Sequence, residues 1–355
     1  MAYLPLSTAN LPDPAINPAQ GSTPDQYFDV GIWTGDGVNG RNIADLYGHT
    51  PDWVWIKNRS AAIDHNVADV LRGWKELYPN LTNAEGSQQM NAPTNDGLSG
   101  LPASNGYNNN GDAYVSWAWK ANGSGVSNTD GTITSTVSAN TESGFSIVGY
   151  AGNSASNQTI GHGLTSAPQM VVHKNRTNAN DWVVDVGNIT GTAGNALRWN
   201  NTSAITNNVA ILPNKPTSSV FYVSTDSGEF NVTGRDYIAY CFHSVEGFSK
   251  LGSYTGNGST DGPFVYTGFR PSMIMVKASS TTSHWYILDT ERNTYNEVDS
   301  FIKPNSSNAD ATSLPFDFTS NGFKIRTSSG GPNSSGATYI YMAFAENPFK
   351  FSLAR

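Results

Sequence analysis

One pattern of residues occurs three times along the chain, in the same order and at nearly the same spacing, which restricts the fold to three copies of one unit. A Gly-rich turn opens each copy, at residues 34–37 (TGDG), 151–153 (AGN) and 255–258 (TGNG). An apolar strand ending in lysine follows, at 51–57 (PDWVWIK), 168–174 (PQMVVHK) and 271–277 (PSMIMVK). Turn glycine and strand proline lie about sixteen residues apart in every copy, and proline and lysine lie six apart. Next comes a strand closed by aspartate, at Asp69, Asp185 and Asp289, the last two introduced by Trp182 and Trp285. A bulky alternating strand ends each copy, at 112–119 (DAYVSWAW), 236–242 (DYIAYCF) and 338–344 (TYIYMAF). Order and spacing repeated inside one chain point to duplication.

The period decides the architecture. Lys57, Lys174 and Lys277 stand 117 and 103 residues apart, far beyond the ~20–50 residues of solenoid and propeller repeats. Each unit is therefore domain-sized. Only 14% of residues are charged, while Gly, Asn, Ser and Thr abound, a turn-rich all-β profile in which Gly and Asn supply positive φ. The expected fold is all-β: three tandem β-sandwich (jelly-roll-like) domains at 28–123, 131–248 and 249–346. An extended Pro-rich N-terminal arm (1–27) precedes them and a C-terminal tail (347–355) follows.

The arm carries Pro5, Pro12, Pro14, Pro18 and Pro24, which exclude a helix interior or a central strand. Its Leu4, Leu6, Leu11 and Ile16 suit docking on a neighbouring subunit. Residues 68–78 (ADVLRGWKELY) are the one helical candidate, weakened by Gly73. The short connection at 244–250 predicts that units two and three are packed together rather than loosely tethered. Phe349, Phe351 and Leu353 make the tail a docking strand.

Several function classes find no support. The net charge is −8 with scattered basic residues, so no stripe exists to neutralise phosphates, and no nucleic-acid partner is expected. Cys241 is the single cysteine; it reads as a buried small hydrophobe, without disulfide or zinc chemistry. The N-terminal residues lack the basic and apolar regions of a signal peptide, and no run of ~18 apolar residues suggests a membrane span. His49, His65, His162, His173, His243 and His284 show no HExxH or H-x-H spacing, and residues 161–164 (GHGL) read as a turn with an exposed imidazole. No phosphate-binding loop or nucleophile elbow occurs. We expect no catalytic residue, no cofactor and no metal site, and hence no enzyme. Asp36, Asn39, Asn108, Asn109, Asn110 and Asp112 place oxygens close together in Gly-rich loops, but outside the EF-hand pattern.

Asp69 and Asp289 have Arg72 and Arg292 three residues on, whereas unit two has Val186, Gly187 and Asn188 after Asp185. Lys57, Lys174, Lys277, Asp69, Asp185, Asp289, Trp182 and Trp285 are thus read as structural repeat positions, with salt bridges or turn caps at the acids. Aromatics on alternating strands belong mainly to the core, and any exposed Trp or Tyr could stack on sugar rings.

The leader (residues 1–28), the stretch VSNTDGTITSTVSANTESGFSIV, the joint YIAYCFHSVEGFSKLGSYTGNGSTDGPFVYTGFRP and the ending TYIYMAFAENPFKFSLAR together resemble large tandem-repeat virion proteins of marine and freshwater tailed bacteriophages. Those proteins are labelled tail-fibre or structural proteins. The resemblance implies a virion protein, assembled in the host cytoplasm without a signal peptide, that meets other tail or capsid proteins through its arm. It implies a homotrimeric tail fibre or surface appendage contacting host surface glycans. Two alternatives are a capsid decoration (cement) protein on the head shell and a glycan depolymerase with paired carboxylates in a groove.

Overall fold

The structure, a computed structural model, describes residues 12–225 and 228–351. It is mostly β, built from several antiparallel sheets. One four-strand order occurs three times. In the first unit the order is Phe28–Thr34, Ala113–Trp119, Trp53–Asn58, Asn66–Asp69. In the third it is Ser249–Thr255, Thr338–Pro348, Phe269–Ala278, Trp285–Asp289. In the second the same four, Phe145–Ala151, Asp236–Phe242, Met170–Asn175 and Val183–Asp185, lie inside an eight-stranded sheet.

The lysine-ended strands are buried on both faces, which explains why they read as continuous apolar runs. Period-two alternation sends Trp53, Trp55, Met170, Val172, Met273 and Met275 to one face, where all six join a single core cluster. The intervening residues face outward into three separate cores, one per unit. Each outer core is covered by a small second layer: Arg41–Ile43 with Leu98–Leu101, Gln158–Gly161 with Val220–Val223, and Phe264–Tyr266 with Gly322–Ile325 and Phe316–Thr319. The three units therefore share one central core rather than standing as beads on a string.

A side-chain clamp fixes the opening turn of every unit. Asn108, Asn231 and Asn333 are fully buried. Each accepts from the backbone N–H of the turn residue Asp36, Asn153 or Asn257, at 3.1, 2.8 and 2.8 Å, and donates back to that residue's side-chain oxygen at 2.7, 3.0 and 3.1 Å. Six residues on, Tyr114, Tyr237 and Tyr339 each accept on their hydroxyl from the backbone N–H that follows the Asn. The turn must be glycine because the clamp segment runs against it: a Cβ at 35, 152 or 256 would stand 2.0–2.3 Å from a backbone oxygen.

Three expectations need correction. Residues 68–78 form no helix: Asn66–Asp69 is a strand, and Gly73 and Trp74 both take positive φ (66° and 62°), which a right-handed helix cannot accommodate. His162 is buried, not exposed, held between Thr217 O and the Leu164 N–H. The arm from Pro12 onward lies on its own chain, with Ile16 buried in the central core and Asp13 paired with Lys350 at 2.7 Å. Leu4, Leu6, Leu11 and Leu353 lie outside the described residues. The tail begins as a continuation of Thr338–Pro348, which pairs with Phe269 and Arg270 through bulges.

Candidate functional site

The repeated lysines sit at the ends of their strands, where neighbouring units meet, and all three are fully buried. Lys174 Nζ donates to Thr82 O of unit one (2.8 Å) and to Asn180 O, and Lys277 Nζ donates to Thr202 O of unit two (3.3 Å) and to Ala278 O. Lys57 Nζ donates to Asn58 O and Ala61 O within its own unit. Burial pulls all three ammonium groups down to about 8.

Opposite each lysine in the strand register stands a ring that reaches the preceding unit. Trp182 Nε1 donates to Tyr78 O at 2.9 Å, and Trp285 Nε1 donates to Arg198 O at 2.8 Å. In unit one this position is His65, whose Nε2 lies 3.1 Å from both Lys303 O and Ser306 O. Trp55 Nε1 donates to His65 Nδ1 (2.9 Å), so the neutral ring carries its proton on Nε2 and donates it to unit three. Burial, pulling His65 down to about 3, keeps it neutral.

Backbone pairing follows the same cycle. Glu85 N donates to Arg176 O, Ile205 N to Ser279 O and Asp310 N to Arg59 O, at 2.8, 2.8 and 3.0 Å. Ion pairs reinforce two of these seams, Glu85 with Arg176 (2.8 Å) and Asp310 with Arg59 (2.9 Å). Unit three thus contacts unit one as one contacts two and two contacts three, closing a pseudo-three-fold ring.

Asp69 and Asp289 are buried in this ring, each bound to Arg72 or Arg292 three residues on, at 2.5 and 2.7 Å. Each also accepts from a neighbouring unit: Tyr240 Oη donates to Asp69 Oδ2 (2.7 Å) and Trp117 Nε1 to Asp289 Oδ2 (3.1 Å). Asp185 is not their counterpart. Asp69 and Asp289 stand opposite Trp53 and Met273, whereas Asp185 stands opposite Val171, one residue out of step, and so faces the outer core of unit two. The inward position belongs to Val186, and Ile189 packs where the arginine would be.

Asp185 Oδ1 accepts from the Gly187 N–H while Oδ2 has no partner, and burial pushes the carboxyl up to about 7. The unfolded carboxyl ionises near 3.8 and the folded one near 7, so this residue's contribution to stability is present at low pH and lost as pH rises between those values. Asp185→Asn, which never ionises, should therefore gain in melting temperature on the wild type as pH rises from 4 to 8. A difference that does not change with pH would contradict this.

Other candidate groups are buried or hydrogen-bonded. Burial pushes the Cys241 thiol up. His173 lies edge-on to Phe221 and Phe230, and burial pulls it down to about 3. In the Asn-rich loops, Asp36 Oδ1 accepts from Asn108 and the Val38 N–H, Asp112 Oδ2 from Asn58 and Asn109, and Asn39 Oδ1 from the Ala103 N–H. Among the described residues no group of three or more His, Cys, Asp or Glu is arranged to hold a metal ion, and no helix is long and apolar enough to cross a membrane.

All nine tryptophans are buried, so none offers an exposed ring for stacking on a sugar. Among the described residues the well-exposed aromatics are Phe264, Tyr266 and Tyr295. Tyr266 also lines an open cleft of about 350 Å³, where Pro12 and Pro14 meet Gly247, Pro348 and Phe349, with Glu246 and Lys250 on its rim. Sequence reading missed this strip and the Asn–Tyr clamp, although an Asn-x5-Tyr spacing repeated three times was there to be found.

Residues 23–348 match the family described as Domain of unknown function (DUF7483). The match covers most of the chain, and the chain belongs to that family. No curated protein and no solved structure matches it.

Proposed function

We propose that this chain is a structural virion protein of a tailed bacteriophage, a tail fibre or surface appendage whose copies contact host surface glycans. Its three units are, in this reading, β-sandwich domains of jelly-roll type that arose by duplication. The observation that carries the reading is where the chain spends its polar chemistry. Two of the repeated lysines (Lys174 and Lys277), the indoles of Trp182 and Trp285, and two of the acids are buried in the seams of a closed ring, where they join units. The resemblance of leader, joints and ending to phage virion proteins supports the same conclusion. Other virion proteins would be met through the N-terminal arm (residues 1–27), and a homotrimer would be assembled from surfaces outside the central core. Repeated copies make weak sugar contacts effective by avidity.

The pseudo-three-fold closure favours a second reading, a capsid decoration protein seated at a three-fold position of the head shell. Cryo-electron microscopy of virions carrying a tagged copy separates the two. Density on the tail is the expected result, density on the head makes particle stabilisation the function, and absence from purified particles refutes both.

A further inference from the structure

We propose that the edge strand Phe264–Tyr266 and the adjoining cleft form a binding strip for an uncharged glycan. The inference rests on the reading of this chain as a protein that contacts surface glycans, and it names the place and the ligand class.

Phe264 and Tyr266 are 47% and 60% exposed, while Val265 between them is buried, so both rings stand on one face of the strand. Each ring leans over a glycine. A Cβ at 322 would stand 3.0 Å from Phe264 Cζ, and one at 268 would stand 3.6–3.9 Å from the outer atoms of the Tyr266 ring. Gly322 is held to glycine in any case, because the same Cβ would collide with Val265 O at 2.1 Å. With no side chain at either glycine the rings have room beside the strand, and both keep about half or more of their surface in solvent. Exposed aromatic surface of this kind can stack on a sugar's apolar C–H face.

The strip is particular to unit three. The residues that flank Ile43 and Ile160, the counterparts of Val265, are Asn42 and Ala44 in unit one and Thr159 and the buried Gly161 in unit two, none of them aromatic. Duplication alone therefore does not explain the aromatic pair.

Charge selects the ligand class. The chain as a whole carries −8, but around the strip each cation is matched by an anion. Lys324 pairs with Asp261 (2.6 Å), Arg326 with Asp317 (3.5 Å) and Lys350 with Asp13 (2.7 Å), while Lys250 and Glu246 share the cleft rim. A strip without net field gives no advantage to an acidic polymer or a nucleic acid. It suits a neutral sugar, with the rings taking C–H faces and the rim side chains and Tyr266 hydroxyl taking sugar hydroxyls.

The test titrates the full chain with three probes, a β-linked hexose hexamer, an N-acetylhexosamine hexamer and an acidic alginate oligomer, read by saturation-transfer NMR and calorimetry. The expected result is binding of a neutral oligomer in preference to alginate. Phe264→Ala and Tyr266→Ala should each weaken it about tenfold or more, with Tyr266→Phe retaining most of it. Both rings are about half or more exposed and lie outside the outer core of unit three, so the variants keep a melting temperature and sedimentation close to wild type. Neutral-sugar binding that survives both alanine variants overturns the strip and leaves the glycan reading standing. Preference for alginate overturns the ligand class. Failure of the wild type to bind either neutral oligomer overturns the strip, and location of the chain in the particle then decides separately whether the virion reading holds.

Discussion

Asp289→Val should destabilise the protein by about 3–5 kcal/mol, the usual result of stranding one partner of a buried ion pair, and adding Arg292→Ile should recover most of that loss. In the wild type the Arg292 guanidinium is satisfied by Asp289, by Ile287 O at 2.9 Å and by Asp310 at 3.1 Å, and it lies 5.7 Å from the Trp117 ring centroid. Removing the Asp289 carboxylate leaves a cation without its nearest anion and strips Trp117 Nε1 of its acceptor. Both costs fall in a core that water does not enter. The chain holds its own control for the rescue. Unit two has Val186 and Ile189 at the equivalent positions and packs them into the same central core. A Val/Ile pair is therefore a solution that this architecture already accommodates. Urea unfolding measures both variants, with the midpoint reporting the change and a constant m-value showing that the transition is still comparable. A double variant as unstable as the single one would mean that the ion pair has a role that apolar packing cannot replace.

The acid-to-arginine spacing was legible in the sequence, and so was its absence from unit two. The one-residue offset of Asp185 was not, because a strand's residues alternate faces and only the register with a neighbour tells which face a terminal acid occupies. The same limit hid the shared core. Trp53, Trp55, Met273 and Met275 announce buried strands, but continuous apolar runs do not say whether the second face meets a layer of the same unit or two other units. The Ala68–Tyr78 region misled for a different reason. Its apolar spacing suits a helix, yet the backbone is bent by consecutive left-handed residues and wrapped around Arg72, which bonds to Asp69, Val67 O and Lys75 O. The turns were visible as Gly-rich segments; the buried Asn that locks each of them lies some seventy to eighty residues away and becomes meaningful only when the Tyr six positions later is counted with it. The exposed strip was unreadable in advance because Phe264, Val265 and Tyr266 look like any other strand in an aromatic-rich chain.

Unit three alone, residues 249–351, should not fold as a monomer, although it contains all of its own sheet and outer core. Cut from the ring, it would expose Leu251, Met273, Met275, Trp285, Ile287, Ile340, Met342 and Phe344, all buried in the central core of the full chain. At roughly 1.5–3 kcal/mol for each large apolar side chain moved from core to water, the loss is on the order of 12–24 kcal/mol. That exceeds the 5–15 kcal/mol by which a typical domain is stable. The seam bonds would be lost as well, including those of Lys277 and of the Trp285 indole to unit two. Circular dichroism of the fragment should show no cooperative melt at low concentration. Self-association into trimers at high concentration would support the same argument, since three copies could rebuild the central core around a true three-fold axis. In the full chain the corresponding result is a single unfolding transition. Trp53→Ala in unit one, which removes a tilted ring contact with Trp119 and a stacked one with Tyr240 of unit two, should lower the stability of all three units together by about 3–5 kcal/mol. A fragment that melts cooperatively as a monomer would show instead that the outer core suffices and that the ring is an assembly of autonomous domains.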